Sequence, residues 1–251
     1  MSAARAEETR TSLETALHLA ARVLGPKWAT RARCIMRGLP LPRWGNLRRT
    51  TPLSNDFGFD RGTPIDRYYV DAFLDRHRAL VTGRVLEIQE TGYTQRFGHD
   101  VTACDTLDVD PRFGTTYTCD LARADGVVPD NAYDCFVLPN TLQHVRDIDR
   151  ALDNTRRIVR PGGAIIATVA AFIPLIPDGA DYWRITPTGW RELIARHWPA
   201  DSVDIVAYGN CLAATAAMQG IAVEEVTPAE LDVRDPRYPV LIGIMCRKAS
   251  Q

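Results

Sequence analysis

The chain has 251 residues, 45% hydrophobic and 24% charged, enough to bury one substantial core with an appendage beside it. Its 30 Lys and Arg against 31 Asp and Glu give a formal net charge of -1, which argues against a dedicated nucleic-acid binder. The six cysteines, at 34, 104, 119, 135, 211 and 246, form no Cys-x-x-Cys pair, so they read as reduced, mostly buried thiols of a cytoplasmic protein rather than a zinc site or disulfide frame.

At the amino terminus Glu7, Glu8 and Glu14 stand where a signal peptide would have its apolar core, and no apolar run reaches membrane-spanning length. Thr11-Ser12-Leu13-Glu14 is a capping-box pattern. Leu13, Ala16, Leu17, Ala20, Val23 and Leu24 then follow helical spacing, which predicts an amphipathic helix that Gly25-Pro26 stops. Nothing acidic occurs from Ala16 to Asn55, while Arg22, Lys27, Arg31, Arg33, Arg37, Arg43, Arg48 and Arg49 accumulate. This suits a solvated basic face, or a lid or homodimer arm beside an anionic or polyhydroxylated molecule; Trp28 and Trp44 fit either. The chain therefore divides into a basic helical extension over 1–50 and a main domain over 51–251. Early in that domain Thr63 suits a helix N-cap, with Pro64 at the first helical position and Asp66 in the first turn.

Arg84 to Gly98 reads Arg-Val-Leu-Glu-Ile-Gln-Glu-Thr-Gly-Tyr-Thr-Gln-Arg-Phe-Gly. Val85, Leu86 and Ile88 suit a buried parallel strand, and Glu87 lies near its carboxyl end, where open α/β sheets place their ligands. A dinucleotide-binding loop would need three glycines for backbone amides to approach a pyrophosphate, and it would avoid a carboxylate. The turn here offers Gly92 beside the acids Glu87 and Glu90. That suits a ligand without phosphates that carries positive charge, and S-adenosylmethionine fits through its sulfonium, amino group and ribose hydroxyls. Val-Leu-Glu-Ile followed by a turn resembles motif I of the class I S-adenosylmethionine-dependent methyltransferases, in which glycines would stand at Gln89, Thr91 and Tyr93. The resemblance implies cofactor contacts at Glu87 and Gly92. In that family the segment before motif I often folds over the methionine end of the cofactor, which makes Arg67 and Tyr68 candidates for the acceptor side.

Asp105-Thr-Leu-Asp-Val-Asp-Pro111 supplies a second strand, with Asp108 and Asp110 on one face by period two. An acid about 20 residues beyond the first strand is where nucleotide-binding α/β folds hold ribose hydroxyls; Asp110 resembles the family acid most closely, and Asp108 is the alternative. Few residues then precede Tyr117 to Leu121, so the intervening helix is expected to be short or missing. Asp120-Leu121 resembles the family's adenine site. Asn131 to Leu138, followed by Thr141 to Val145, resembles the fourth strand and its loop, with Asn140 beside the cofactor. Arg160-Pro-Gly-Gly163 is expected to end a helix before the strand Ala164 to Val169. Trp190 to Trp198 is predicted helical, Val203 to Tyr208 a strand, Cys211 to Gly220 a helix, and Tyr238 to Met245 the closing strand.

The expected fold is α/β and Rossmann-like: a mostly parallel seven-stranded sheet with helices on both faces, plus the helical extension. Methyl transfer is the expected reaction. Leu138-Pro139-Asn140-Thr141 stands where amino methyltransferases of nucleobases carry Asn-Pro-Pro-Tyr, which points away from that substrate class. In Asp178 to Pro187, Tyr182 and Trp183 suit stacking on a sugar ring, with Asp181 and Arg184 as partners for hydroxyls. The segments around Pro64, Tyr182 and Cys211 resemble bacterial methyltransferases of polysaccharide assembly. That resemblance implies O-methylation of a sugar hydroxyl, such as the 1-OH of a 3-O-methylmannoside. His144 is then the expected general base. Mg²⁺, which several similar sugar enzymes use, would draw on Asp178, Asp181 and Glu90, although no spacing singles them out. Two other classes fit the same pattern: a methyltransferase of a small aromatic or lipid-like metabolite, and a catalytically silent interaction module.

Overall fold

In the computed structural model, which describes residues 15, 23, 25–176, 180–199 and 202–250, the chain divides into two compact units, Met1–Thr50 and Thr51–Gln251. In the first unit the helix predicted from Leu13 to Leu24 lies outside the described residues except at Thr15 and Val23, both helical. Gly25-Pro26 does more than stop a helix. Gly25 takes a left-handed φ of 85°, and Pro26, whose ring pre-sets a helical φ, opens helix α1 (Pro26–Met36).

The second unit is built on one sheet. In chain order it contains α2 (Ile65–Arg76), β1 (Gly83–Ile88), α3 (Gly92–Phe97), β2 (Val101–Asp108), β3 (Tyr117–Thr118), β4 (Tyr133–Leu138), α4 (Ile148–Ile158), β5 (Val159–Ala170), α5 (Pro187–His197), β6 (Ser202–Tyr208), α6 (Cys211–Gln219), α7 (Pro228–Asp232) and β7 (Leu241–Arg247). The strand order is β3-β2-β1-β4-β5-β7-β6. All neighbours are parallel except β7, which runs antiparallel to both β5 and β6. This is the expected mostly parallel, seven-stranded Rossmann-like sheet. Strand order reverses between β1 and β4, so a crevice opens at their carboxyl ends.

Alternation along the strands feeds two cores. Leu86, Phe136, Leu138 and Ile165 face α4 and α5, where Trp190 and Trp198 are buried. Val85, Cys135, Val137 and Ile166 face α2 and α6, meeting Tyr69, Phe73 and Ala213. Each of these large apolar side chains contributes about 1.5–3 kcal/mol by leaving water. Helix α2 approaches β7 so closely that a Cβ at Gly243 would fall within 2.4 Å of the Phe73 ring, which is why glycine stands there.

Several local expectations need correction. Thr63 does not cap α2. Its N–H and hydroxyl donate to Glu224 at 2.9 and 2.7 Å, and the helix begins at Ile65. The glycines of Arg160-Pro-Gly-Gly163 do not end α4, which stops at Ile158. They lie inside β5, where Gly162 has φ 80° and a Cβ at Gly163 would press on the carbonyl oxygens of Tyr133, Asp134 and Arg160. The link between β2 and β3 keeps a single 3-10 turn, Pro111–Phe113. All six cysteines are free, but only Cys135 and Cys246 are buried, and Cys211 is exposed. Among the described residues no helix is long and apolar enough to cross a membrane.

Candidate active site

A cavity of 570 Å³ opens at the switch between β1 and β4. Its floor is the strand ends Ile88-Gln89, Leu107-Asp108-Val109 and Pro139-Asn140. Asp108 closes β2 and lines the cavity, and one of its carboxylate oxygens accepts from the Asp110 N–H at 2.7 Å. Asp120 and Leu121 line the same end, with Asp120 accepting from Ala122 N–H at 2.9 Å as the cap of a short 3-10 turn. These two carboxylates suit hydroxyl and amino donors of an adenosine.

The other end is organised by Asn140, whose φ of 45° turns the chain sharply after β4. Its amide donates to Asp66 at 2.7 Å, and its N–H donates to the Thr168 hydroxyl of β5 at 3.0 Å. Asp66 is 8% exposed and lines the cavity, so a buried carboxylate faces the end where a cationic methionine moiety would lie. Gln143, 2% exposed, donates its side-chain amide to Asn140 O at 2.9 Å, while its Oε1 is buried without any partner. The cavity's size and the carboxylates at both ends fit S-adenosylmethionine and a hydroxylated acceptor.

His144 also lines the cavity, in the 3-10 turn Leu142–His144 after β4. Its Nδ1 lies 2.6 Å from Ala180 O, and a carbonyl can only accept, so the proton sits on Nδ1. Nε2 carries the lone pair and accepts from the Gln143 side-chain amide at 3.2 Å. The remaining wall is mixed: Arg67, Arg146, Tyr182, Phe57, Phe59, Ile173 and Ile176. Arg146 lies 6.0 Å above the Tyr182 ring, and Arg67 donates to the Tyr93 hydroxyl at 3.4 Å.

The structure thus brings Arg67, Asp108, Asp120, Leu121, Asn140, His144 and Tyr182 to one cavity. The other residues picked from the sequence lie off it, each for a visible reason. Glu87 is fully buried and accepts from Tyr93 N–H and Thr94 N–H at 2.9 and 2.8 Å, fastening the start of α3, where Gly92 is the first residue. Burial pushes the Glu87 carboxyl up, and those backbone donors oppose the shift. Asp110 lies past the strand end and pairs with Arg112 at 2.8 Å; this contact holds its carboxyl below the usual range. Tyr68 donates to Asp232 at 2.7 Å. Trp183 donates its indole N–H to Val145 O at 2.8 Å and packs on the core. Asp181 and Arg184 are engaged with each other in an ion pair. Asp66, Gln89, Gln143, Arg146, Phe57 and Phe59 are cavity residues that motif reading passed over. Only Asp66 carried a signal, an acid in the first turn of the helix before motif I.

For Mg²⁺ the fit fails. Asp181 is taken by Arg184, Glu90 is exposed and off the cavity wall, Asp178 lies outside the described residues, and no acidic or His/Cys cluster of metal-binding size occurs among the described residues.

Residues 89–167 match the family model of the methyltransferase domain. No curated protein sequence matches the chain. Among solved structures, a SAM dependent methyltransferase from Archaeoglobus fulgidus is similar with a TM-score of 0.50 at 14% identity, over 72% of this chain and 94% of that one. The YcgJ protein from Bacillus subtilis gives 0.43 at 13% identity, over 73% and 100% of the two chains. The 1,6-didemethyltoxoflavin-N1-methyltransferase of Burkholderia thailandensis gives 0.44 at 16%, over 72% and 77%. The matched residues run from the turn after β1 into β5, the part of the sheet that builds the cavity, so that the match supports a methyltransferase domain there and the structural likeness supports its class I fold.

Proposed function

We propose that the protein is an O-methyltransferase that methylates a sugar hydroxyl, with a mannoside of the kind found in methylated polysaccharides as the acceptor. The observation that carries the hydroxyl reading is the fixed tautomer of His144, whose Nδ1–H is committed to Ala180 O. Bound S-adenosylmethionine supplies a methyl group on a sulfonium, a leaving group that needs no protonation. Asp108 and Asp120 would hold its adenosine, and Asp66 with Asn140 its methionine end. His144 Nε2, on exchanging its Gln143 contact for the acceptor hydroxyl, would take that hydroxyl's proton as the oxygen is methylated. Much of the rate then comes from holding oxygen, carbon and sulfur in line.

The sugar reading is supported by a cavity wall that sets an aromatic face, Tyr182, beside the donors of Arg67 and Arg146. It is also supported by the resemblance of the segments around Pro64, Tyr182 and Cys211 to polysaccharide methyltransferases. Phe57, Phe59, Ile173 and Ile176 favour a second reading, a small aromatic or lipid-like acceptor. Release of S-adenosylhomocysteine, followed over a panel of mannosides and phenols, decides between them. Turnover with phenols alone ends the sugar reading. Calorimetric titration that detects no S-adenosylmethionine binding would make the chain a silent interaction module.

A further inference from the structure

The extension carries an exposed surface of its own. Residues 1–50 hold ten Lys and Arg against three Asp and Glu, while the remaining residues hold 20 against 28, so the near-neutral total conceals a strong separation of charge. Over 25–50 no residue is acidic and none whose burial is described is buried, and Lys27, Arg31, Arg33, Arg37, Arg43, Arg48 and Arg49 are all exposed. No ion pair with any of these seven occurs among the described residues. Large apolar groups stand among them. Trp28 is 60% exposed, Trp44 55%, Ile35 61% and Leu39 51%. Trp28 and Trp44 share a cleft of 830 Å³ with Lys27, Arg31, Arg48 and Arg49.

An occupant must be anionic to match Lys27, Arg31, Arg48 and Arg49, which make no ion pair among the described residues, and it must accept indole rings and aliphatic side chains. A second copy of this face would bring the cations together and is disfavoured. Nucleic acid meets the charge but offers nothing to Ile35 and Leu39. An anionic bilayer meets both requirements: its phosphates pair with the guanidinium groups, Trp settles at the level of the headgroups, and the aliphatics enter the acyl boundary. We propose that the extension docks the protein on an anionic lipid surface through α1 and the Trp44 segment.

The full-length protein is tested by flotation with phosphatidylcholine vesicles, pure or with about one-third phosphatidylglycerol. Binding is expected only to the anionic vesicles, with a blue shift of tryptophan emission and release at high salt. The Arg31→Glu/Arg48→Glu/Arg49→Glu and Trp28→Ala/Trp44→Ala variants should each weaken vesicle binding about tenfold or more, while S-adenosylmethionine affinity, read on the same samples, certifies the fold. The proposal is overturned by equal binding to both vesicle types, by binding that survives the charge reversal, or by a tighter complex with an RNA or DNA oligonucleotide. A change of oligomeric state in the tryptophan variant with vesicle binding intact would assign the face to self-association.

Discussion

Two side chains separate chemistry from cofactor binding. His144 lines the cavity with its Nδ1–H given to Ala180 O, and its Nε2 lone pair accepts from the Gln143 amide at 3.2 Å, a contact that an acceptor hydroxyl would have to replace. His144→Ala should therefore lower kcat about 100-fold or more, with cofactor affinity and unfolding midpoint close to wild type. A mutant that keeps its kcat would show His144 to be a packing residue of the loop. Of the two acids offered by the second strand, Asp108 ends β2 and faces the cavity, while Asp110 is occupied by Arg112 on the surface. Asp108→Ala is expected to weaken S-adenosylmethionine binding by about 1.5–3 kcal/mol, the loss of a charge-assisted hydrogen bond; Asp110→Ala should leave it nearly unchanged. Calorimetry on both variants checks this, and the reverse ranking would return the ribose to Asp110.

The turn after β1 explains how a motif without its usual glycines can still build this fold. Gln89 stands where the family pattern has the first glycine, and its φ of 67° keeps the left-handed conformation that glycine adopts freely. A side chain with a Cβ is strained there by about 1–2 kcal/mol, whereas glycine loses more entropy on folding, about 0.5–1 kcal/mol. Gln89→Gly should therefore stabilise the protein, by a net of about 0.5–1 kcal/mol, seen as a higher denaturant midpoint at unchanged slope. A lower midpoint would mean that the Gln89 side chain makes contacts worth more than the strain. The same contrast marks what the sequence could reveal. Strands around Leu86, Phe136 and Ile166 were legible because buried parallel strands are apolar runs, and Asn140 and His144 were reachable because they follow the end of one. Asp108 and Asp120, at or just beyond the ends of largely polar strands, were reachable only through the spacing and the family resemblance. Asp66 was noticed only as a first-turn acid, since its bond to Asn140 joins residues 74 positions apart. Phe57 and Phe59 lie in a segment without periodicity. Asp181 and Arg184 looked free for a ligand because their mutual pairing depends on how the loop folds back.

The lip of the cavity is fastened to a distant part of the chain. The segment carrying Phe57 and Phe59 continues to Arg61 and Thr63, which grip Glu225 and Glu224 more than 160 residues away: Arg61 Nε donates to Glu225 Oε2 at 2.9 Å, and Thr63 donates twice to Glu224. A backbone bond from Val223 N–H to Thr63 O at 2.8 Å and a bridge between Pro64 and Ala222 complete the clasp. The Arg61 guanidinium, helped by the Ala222 amide, lowers the Glu225 carboxyl to about 2, and the Thr63 donors lower that of Glu224. A carboxyl whose folded value lies below its unfolded one adds stability above the unfolded value, near 4.5 here, and loses it as pH falls through the folded value. Both groups are exposed, so solvent screens the gain and the clasp is a modest stabiliser. The Glu224→Gln/Glu225→Gln variant should accordingly have a lower melting temperature at neutral pH and a shallower loss of stability between about pH 5 and pH 2 than wild type. Because the clasp holds the acceptor side of the cavity, the same variant should raise the acceptor KM at neutral pH while the S-adenosylmethionine affinity stays unchanged. Parallel melting curves for variant and wild type across that pH range would remove the clasp from the acid-stability account, and a loss of cofactor affinity equal to the rise in KM would show that the segment supports the whole cavity rather than its lip.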